Sequence, residues 1–197
     1  MNQNKPDLPQ LIASRICHDL ISPIGAIGNG LELLQMETPA SPSAEMSLIT
    51  DSLENANARI RFFRIAFGHA SDGQMVSANE LQSILGDLMR SGRQTYDWQE
   101  TMDCERREAR AVFLALLCME SALPFGGKIV IDRSAGRWHI RGSGRRVDWD
   151  TALWDGPWCP GDIAANQVHF ALLPNALDQI GRAAEVDVTD ETIAITF

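Results

Sequence analysis

The chain has no surplus of positive charge: 17 Lys and Arg stand against 26 Asp and Glu, a formal net charge of −9. So acidic a surface argues against nucleic acid and against an anionic membrane as partners. Nowhere does an uninterrupted apolar run approach the ~20 residues that a bilayer-spanning helix needs. The opening stretch, Met1 to Pro9, carries no apolar signal region. Cysteine is sparse: Cys17, Cys104, Cys118 and Cys159 form no CxxC pair, and with four scattered histidines they make no zinc pattern. Four free thiols in a reducing compartment are expected, hence a cytoplasmic location. Internal repeats and low-complexity tracts are also missing. What remains is 197 residues, 45% hydrophobic, enough for one domain or two small ones.

Against this background one residue stands out, His18 in Cys17-His18-Asp19-Leu20-Ile21-Ser22-Pro23. Apolar residues recur around it at Leu8, Ile12, Ile16, Leu20, Ile24, Ile27, Leu31 and Leu34, in steps of three and four that predict an amphipathic helix. At ~100° per residue, His18 falls roughly 160° from both Ile16 and Leu20. It points away from the apolar stripe, and its face neighbours Ser14, Ser22 and Gly25 are small. Asp19 beside it can favour a charged or correctly oriented imidazole. Pro23 removes a helix hydrogen bond at a cost of ~3 kcal/mol and should bend the helix one turn after the histidine. The plain alternative is an incidental surface histidine next to a tolerated kink, in a segment already weakened by Gly25, Gly28 and Gly30.

The predicted first helix runs from about Leu8 to Met36 and stops at Thr38-Pro39-Ala40-Ser41-Pro42-Ser43. A second helix carries Ile49, Leu53, Ala56, Ile60, Phe63 and Phe67 in a heptad-like seam and ends at Gly68 and Ser71-Asp72-Gly73. Joined by a short turn, the two make an antiparallel hairpin. One hairpin cannot cover both apolar stripes, whereas two copies packed as a four-helix bundle can. A homodimer is therefore expected, with Ile16, Leu20, Ile27, Leu53, Ile60 and Phe63 buried in or beside the bundle.

Beyond Met75 the periodicity changes. Ser77-Ala78-Asn79-Glu80 is a capping box opening a helix to about Arg90. A strand over 95–102, a strong helix over 105–123, a hairpin through Gly136, a helical region over 164–180 kinked or restarted at Pro174, and strands over 184–188 and 192–196 follow. This order predicts an α/β sandwich with helices on one sheet face. The fold class is thus α+β, divided as 1–73, a helical hairpin for dimerisation, and 74–197, a sandwich.

His18-Asp19-Leu20-x-x-Pro23 resembles the H-box of sensor histidine kinases, in which the histidine carries the phosphoryl group. The longer string Ser14 to Ile27, with Asn29-Gly30-Leu31-Glu32-Leu33-Leu34 behind it, is similar to the ChpT-type histidine phosphotransferases of bacterial phosphorelays. The resemblance extends in plan over the whole chain but is weak after about Gly73. It implies that 74–197 descends from a kinase ATP-binding domain, in which an Asn on the first central helix holds Mg-ATP and an Asp-x-Gly-x-Gly reads adenine. Here Cys118 falls near the Asn position, and Gly142-Ser143-Gly144-Arg145-Arg146 puts Gly142 and Arg146 where the Asp and last Gly belong. Thiol is a poor ligand for Mg²⁺, which prefers hard oxygens. Trp154-Asp155-Gly156-Pro157-Trp158-Cys159-Pro160-Gly161 replaces the phosphate loop, and its aromatic and proline content suits packing better.

The resemblance implies a relay in which neutral His18 attacks an aspartyl phosphate on the receiver domain of a hybrid kinase. His18 then passes the group to a response-regulator receiver, with Asp19 orienting or polarising the imidazole. No cofactor or metal is expected in the chain itself, since Mg²⁺ would arrive with the receiver. Arg59, Arg61 and Arg64 should face His18 across the hairpin, with Arg15 one turn before it, forming a local positive patch toward an acidic receiver pocket. Arg15, Ser22, Gly25, Arg61 and Arg64 are the expected partner-binding residues. The same arginines also fit a solvated face whose long stems cover apolar surface. Two further readings stay open: a kinase with a divergent ATP site, and a pseudo-kinase adaptor that binds regulators without catalysis.

Overall fold

The computed structural model describes residues 8–37, 44–90, 92–156 and 163–197. The expected turn over 38–43 and the stretch Pro157 to Gly161, with Trp158 and Cys159, lie outside the described residues. The chain opens with two long helices, α1 over Leu8–Glu37 and α2 over Ala44–Ala66. Helix α1 runs through position 23 without interruption. A Cβ added to Gly28 would lie 3.3 Å from Leu53 Cδ2, so the two helices pack closely there. The same antiparallel offset sets Arg64 against Cys17, whose thiol feels the Arg64 charge. The hairpin therefore forms in the register that the sequence predicts.

The sandwich follows in the order β1 (Met75–Val76), α3 (Ala78–Met89), β2 (Gln94–Trp98), β3 (Cys104–Glu105), α4 (Arg106–Ala122), β4 (Gly127–Ser134), β5 (Arg137–Gly144), α5 (Thr151–Asp155), α6 (Val168–Gln179), β6 (Glu185–Val188) and β7 (Thr192–Thr196). The expected capping box is half realised. Ser77 Oγ accepts from the Glu80 amide at 3.1 Å, while the Glu80 carboxylate pairs with Arg64 of α2. Five strands form one sheet in the order β2-β4-β5-β7-β6. Only β2 and β4 pair in parallel, with α4 crossing between them. The β4–β5 hairpin turns at Ala135 (φ 49°) and Gly136 (φ 75°), and left-handed backbone at both positions suits a two-residue turn.

Strand alternation decides the layers. Tyr96, Trp98, Ile129, Ile131, Trp138, Ile140, Ile193 and Ile195 point inward and are buried. Their alternates carry ion pairs on the open face, Lys128 with Asp97 and Arg141 with Asp132. Helices α3, α4 and α6 cover the inner face, and α4 is buried on almost every side. Helix α2 lies over α3 and α4, with Phe62 stacked on Phe113 at 4.7 Å between ring centres. Ala58, Phe62, Ile65 and Ala66 belong to the same continuous core as the sheet residues, so this core crosses residue 73.

Three features were missed or misjudged from sequence. A two-stranded ladder, β1 with β3, ties the chain after α2 to the start of α4. The short helix α5, capped by Asp150, was not predicted. Pro174 lies inside α6, which continues past it, and the helix begins in a 3-10 turn over Ala165–Gln167.

Candidate functional site

His18 and Asp19 lie in α1, as does Arg15. The side chains of these three residues, and of Ser14 and Pro23, lie outside the described residues. The helix around position 18 is described well enough to define its faces. Cys17 is buried against α2, and Ile21, Ile24, Gly28 and Leu31 are half-buried on that side. Burial pushes the Cys17 thiol up, and the Arg64 charge pulls the other way. Ser22, Gly25 and Asn29 are exposed and recur with position 18 on one face. A Cβ added to Gly25 would have nothing within 4 Å, so this face is open. Further along it, α1 and α2 enclose a shallow recess of about 200 Å³ between Asn29, Glu32, Glu54 and Asn57.

A third face of α1 is apolar and uncovered. Ile16, Leu20, Ile27 and Leu34 remain between 44% and 55% exposed in the single chain. Leu53, Ile60 and Phe63, expected to be buried, are half-buried. One helix thus carries a stripe against α2, an open small-residue stripe and an exposed apolar stripe, with positions 18, 22 and 25 nearly opposite the last.

The arginines of α2 require a correction. They were expected to form a positive patch. Instead each reaches a carboxylate on the sandwich: Arg59 to Glu120 of α4 at 3.0 Å, Arg61 to Asp87 of α3 at 2.7 Å, and Arg64 to Glu80 of α3 at 3.1 Å. Arg61 also donates to Ser83. Arg61 and Arg64 remain at the level of position 18, but their charge is matched within the chain. These pairs bind α2 to the layer beneath it.

Two positions expected to belong to a lost nucleotide site, Cys118 and Gly142, are packed. Cys118 is fully buried, and burial holds its thiol far above the ordinary range. A Cβ at Gly142 would approach Ile193 Cγ2 and Leu123 Cδ1 at 3.1 Å, so this glycine serves the contact of α4 with the sheet. A Cβ at Gly144 would lie 2.9 Å from Leu123 Cδ2. Arg146 is exposed. Trp149 packs between Trp154 and Phe170, with ring centres 5.1 and 6.0 Å away. Among the described residues no group of three or more His, Cys, Asp or Glu could hold a metal, and no helix is long and apolar enough to cross a membrane.

Residues 78–192, more than half of the chain, match the family described as the histidine phosphotransferase C-terminal domain. The chain belongs to the histidine phosphotransferase family. Within it, the protein phosphotransferase ChpT of Brucella abortus (strain 2308) is 39% identical over 127 residues. That similarity covers 64% of this chain and 60% of the relative. The fold is similar to the solved structure of a bacterial phosphotransferase, with a TM-score of 0.67 and 28% identity over 94% of this chain and 93% of that one. The family match falls on the sandwich, the half in which sequence resemblance was weakest to the eye, and the string around His18 lies outside it.

Two residues escaped the sequence reading. Arg106 and Arg110, in the first turns of α4, are buried at 6% and 2% exposure. A signal was available: arginine is disfavoured at a helix N-terminus, where the backbone dipole is already positive.

Proposed function

We propose that this chain is a phosphoryl carrier that relays phosphate between receiver-domain aspartates through His18. The supporting observation is the open, small-residue face of α1 that holds position 18, in a member of the histidine phosphotransferase family. In the forward step the imidazole nitrogen attacks phosphorus, the acyl O–P bond breaks, an N–P bond forms and the receiver carboxylate is regenerated. Transfer to the second receiver reverses these changes on another aspartate. Such chemistry needs in-line positioning and charge neutralisation more than covalent machinery. Asp19 orients the imidazole, and the receiver supplies Mg²⁺. Ser22 and Gly25 leave room for the receiver, and the recess beside Asn29 and Asn57 continues the same docking face. Arg15, Arg61 and Arg64 border it.

Two finer points belong to this reading. The carrier works as a homodimer, with the uncovered stripe of Ile16, Leu20, Ile27 and Leu34 turned toward a second hairpin in a four-helix bundle. It has no ATP-dependent kinase activity of its own, a reading supported by Ile193, Leu123 and Met119, which crowd the space beside Gly142. A cytoplasmic location, where its receivers would be, goes with this role. The test is incubation with a phosphorylated receiver, following acid-labile phosphate on this chain. Wild type should acquire label and His18→Ala should not, with unchanged helicity. Label that persisted in His18→Ala and vanished on mutating His69, His139 or His169 would refute the assignment. Micromolar affinity for ATP would refute the second point.

A further inference from the structure

The end of α2 is held in an unusual way. A helix C-terminus leaves its last carbonyls without partners and carries about half a negative charge. Here two guanidinium groups from α4 reach back to it. Arg106 Nη2 donates to the Arg64 carbonyl, and Arg110 Nε donates to the Ala66 carbonyl at 3.3 Å. Arg110 is steadied by Gln179 of α6 at 3.3 Å. The chain accommodates Arg106 closely: a Cβ at Gly68 would lie 3.2 Å from its Nη2. Burial, reinforced by the neighbouring Arg64 and Arg110 charges, lowers Arg106 to about 10, so it remains a cation at pH 7. Placing buried cations at the positive end of α4 is costly, and the sequence does it twice within two turns.

The turn of α2 that they hold is the turn opposite position 18. Arg64, whose carbonyl accepts from Arg106, is the residue whose charge reaches Cys17. We propose that Arg106 and Arg110 are positioning residues for phosphoryl transfer, fixing the last turn of α2 and cancelling its negative end beside the histidine. A phosphoryl group on His18 would bring roughly two negative charges to this level of the hairpin. Left uncapped, the carbonyl end of α2 would repel them. The inference rests on His18 being the carrier.

The readout is the partition of phosphate between a receiver and this chain at equilibrium. Loss of fold alone lowers the amount of competent protein but leaves the partition constant of the folded fraction unchanged. Loss of a cation near the phosphoryl group shifts the constant itself. In the full-length protein, Arg106→Met should shift phosphate toward the receiver by roughly three- to tenfold. Arg106→Gln removes the charge while keeping a polar, though shorter, amide donor, and should show the same shift if the Met variant does not fold. Arg106→Lys should recover most of the wild-type constant, even with a lower melting temperature. A wild-type constant in Arg106→Gln, or a lysine variant no better than the glutamine one, would overturn the proposal. His18→Ala in the same assay separates the two claims. Persistent label there defeats the carrier reading, and this inference with it. Label lost there but partition unmoved by Arg106 defeats this inference alone.

Discussion

At position 25 of α1 a glycine occupies a helix interior with nothing near its would-be Cβ. Glycine costs about 1 kcal/mol relative to alanine in such a place. Filling it should leave the fold as stable or slightly more so, yet obstruct the open face. Gly25→Leu is expected to keep or raise the melting temperature while slowing transfer from a receiver at least tenfold. A variant as fast as wild type would show that nothing docks over position 25. His169 sits in the opposite situation. It is buried, its Nε2 lies 3.1 Å from Ser121 Oγ, and burial lowers it to about 4 although Glu120 opposes the shift. The unfolded chain takes up this proton near the ordinary value of 6.5, and the folded one does not until about 4. Between these values the unfolded state binds more protons, so stability falls as pH falls from 6.5 to 4. The loss attributable to this residue is up to about 3 kcal/mol. Urea denaturation of wild type and His169→Phe at pH 7 and pH 4.5 should show a smaller pH effect in the variant.

Between elements, the contact of α2 with α3 and α4 combines an apolar seam with three ion pairs. The seam of Ala58, Phe62 and Ile65 contributes more, because partly exposed ion pairs are each worth about 1 kcal/mol or less. Arg61 and Asp87 give a clean separation of roles. Arg61→Asp sets two carboxylates together and should cost about 1–2 kcal/mol in stability. Adding Asp87→Arg restores the pair with its polarity reversed. If Arg61 also meets the receiver, the double variant should regain stability but still transfer slowly, most clearly at low salt, where charge steering is least screened. Full recovery of both would confine Arg61 to the α2–α3 contact.

Over the molecule as a whole, the exposed apolar stripe of α1 and the exposed Leu48 and Ile49 of α2 form a surface that water disfavours. A second hairpin would cover it, and such an interface is typically apolar at its centre. Sedimentation at micromolar concentration should give a homodimer for wild type. Ile27→Glu, placing a charge in mid-stripe, should give a folded monomer. A wild-type monomer, or an Ile27→Glu dimer, would contradict the bundle.

Much of this was written locally in the chain. Helix periods of three and four set α1 and α2. Ser77 began α3, and strand alternation from Gln94 to Thr196 sorted the sheet into an inner and an outer face. Position 18 could be placed opposite Ile16 and Leu20 from helix geometry alone, since that depends only on spacing. Contacts between residues far apart in sequence were not readable in this way. Arg59, Arg61 and Arg64 looked like a free patch because their partners Glu120, Asp87 and Glu80 lie from 16 to 61 residues downstream. The partners of Arg106 and Arg110 come only with the fold, which brings the end of α2 against them. Charge pairing and burial act through space, so the tertiary structure decided which arginines face water and which hold the hairpin in place.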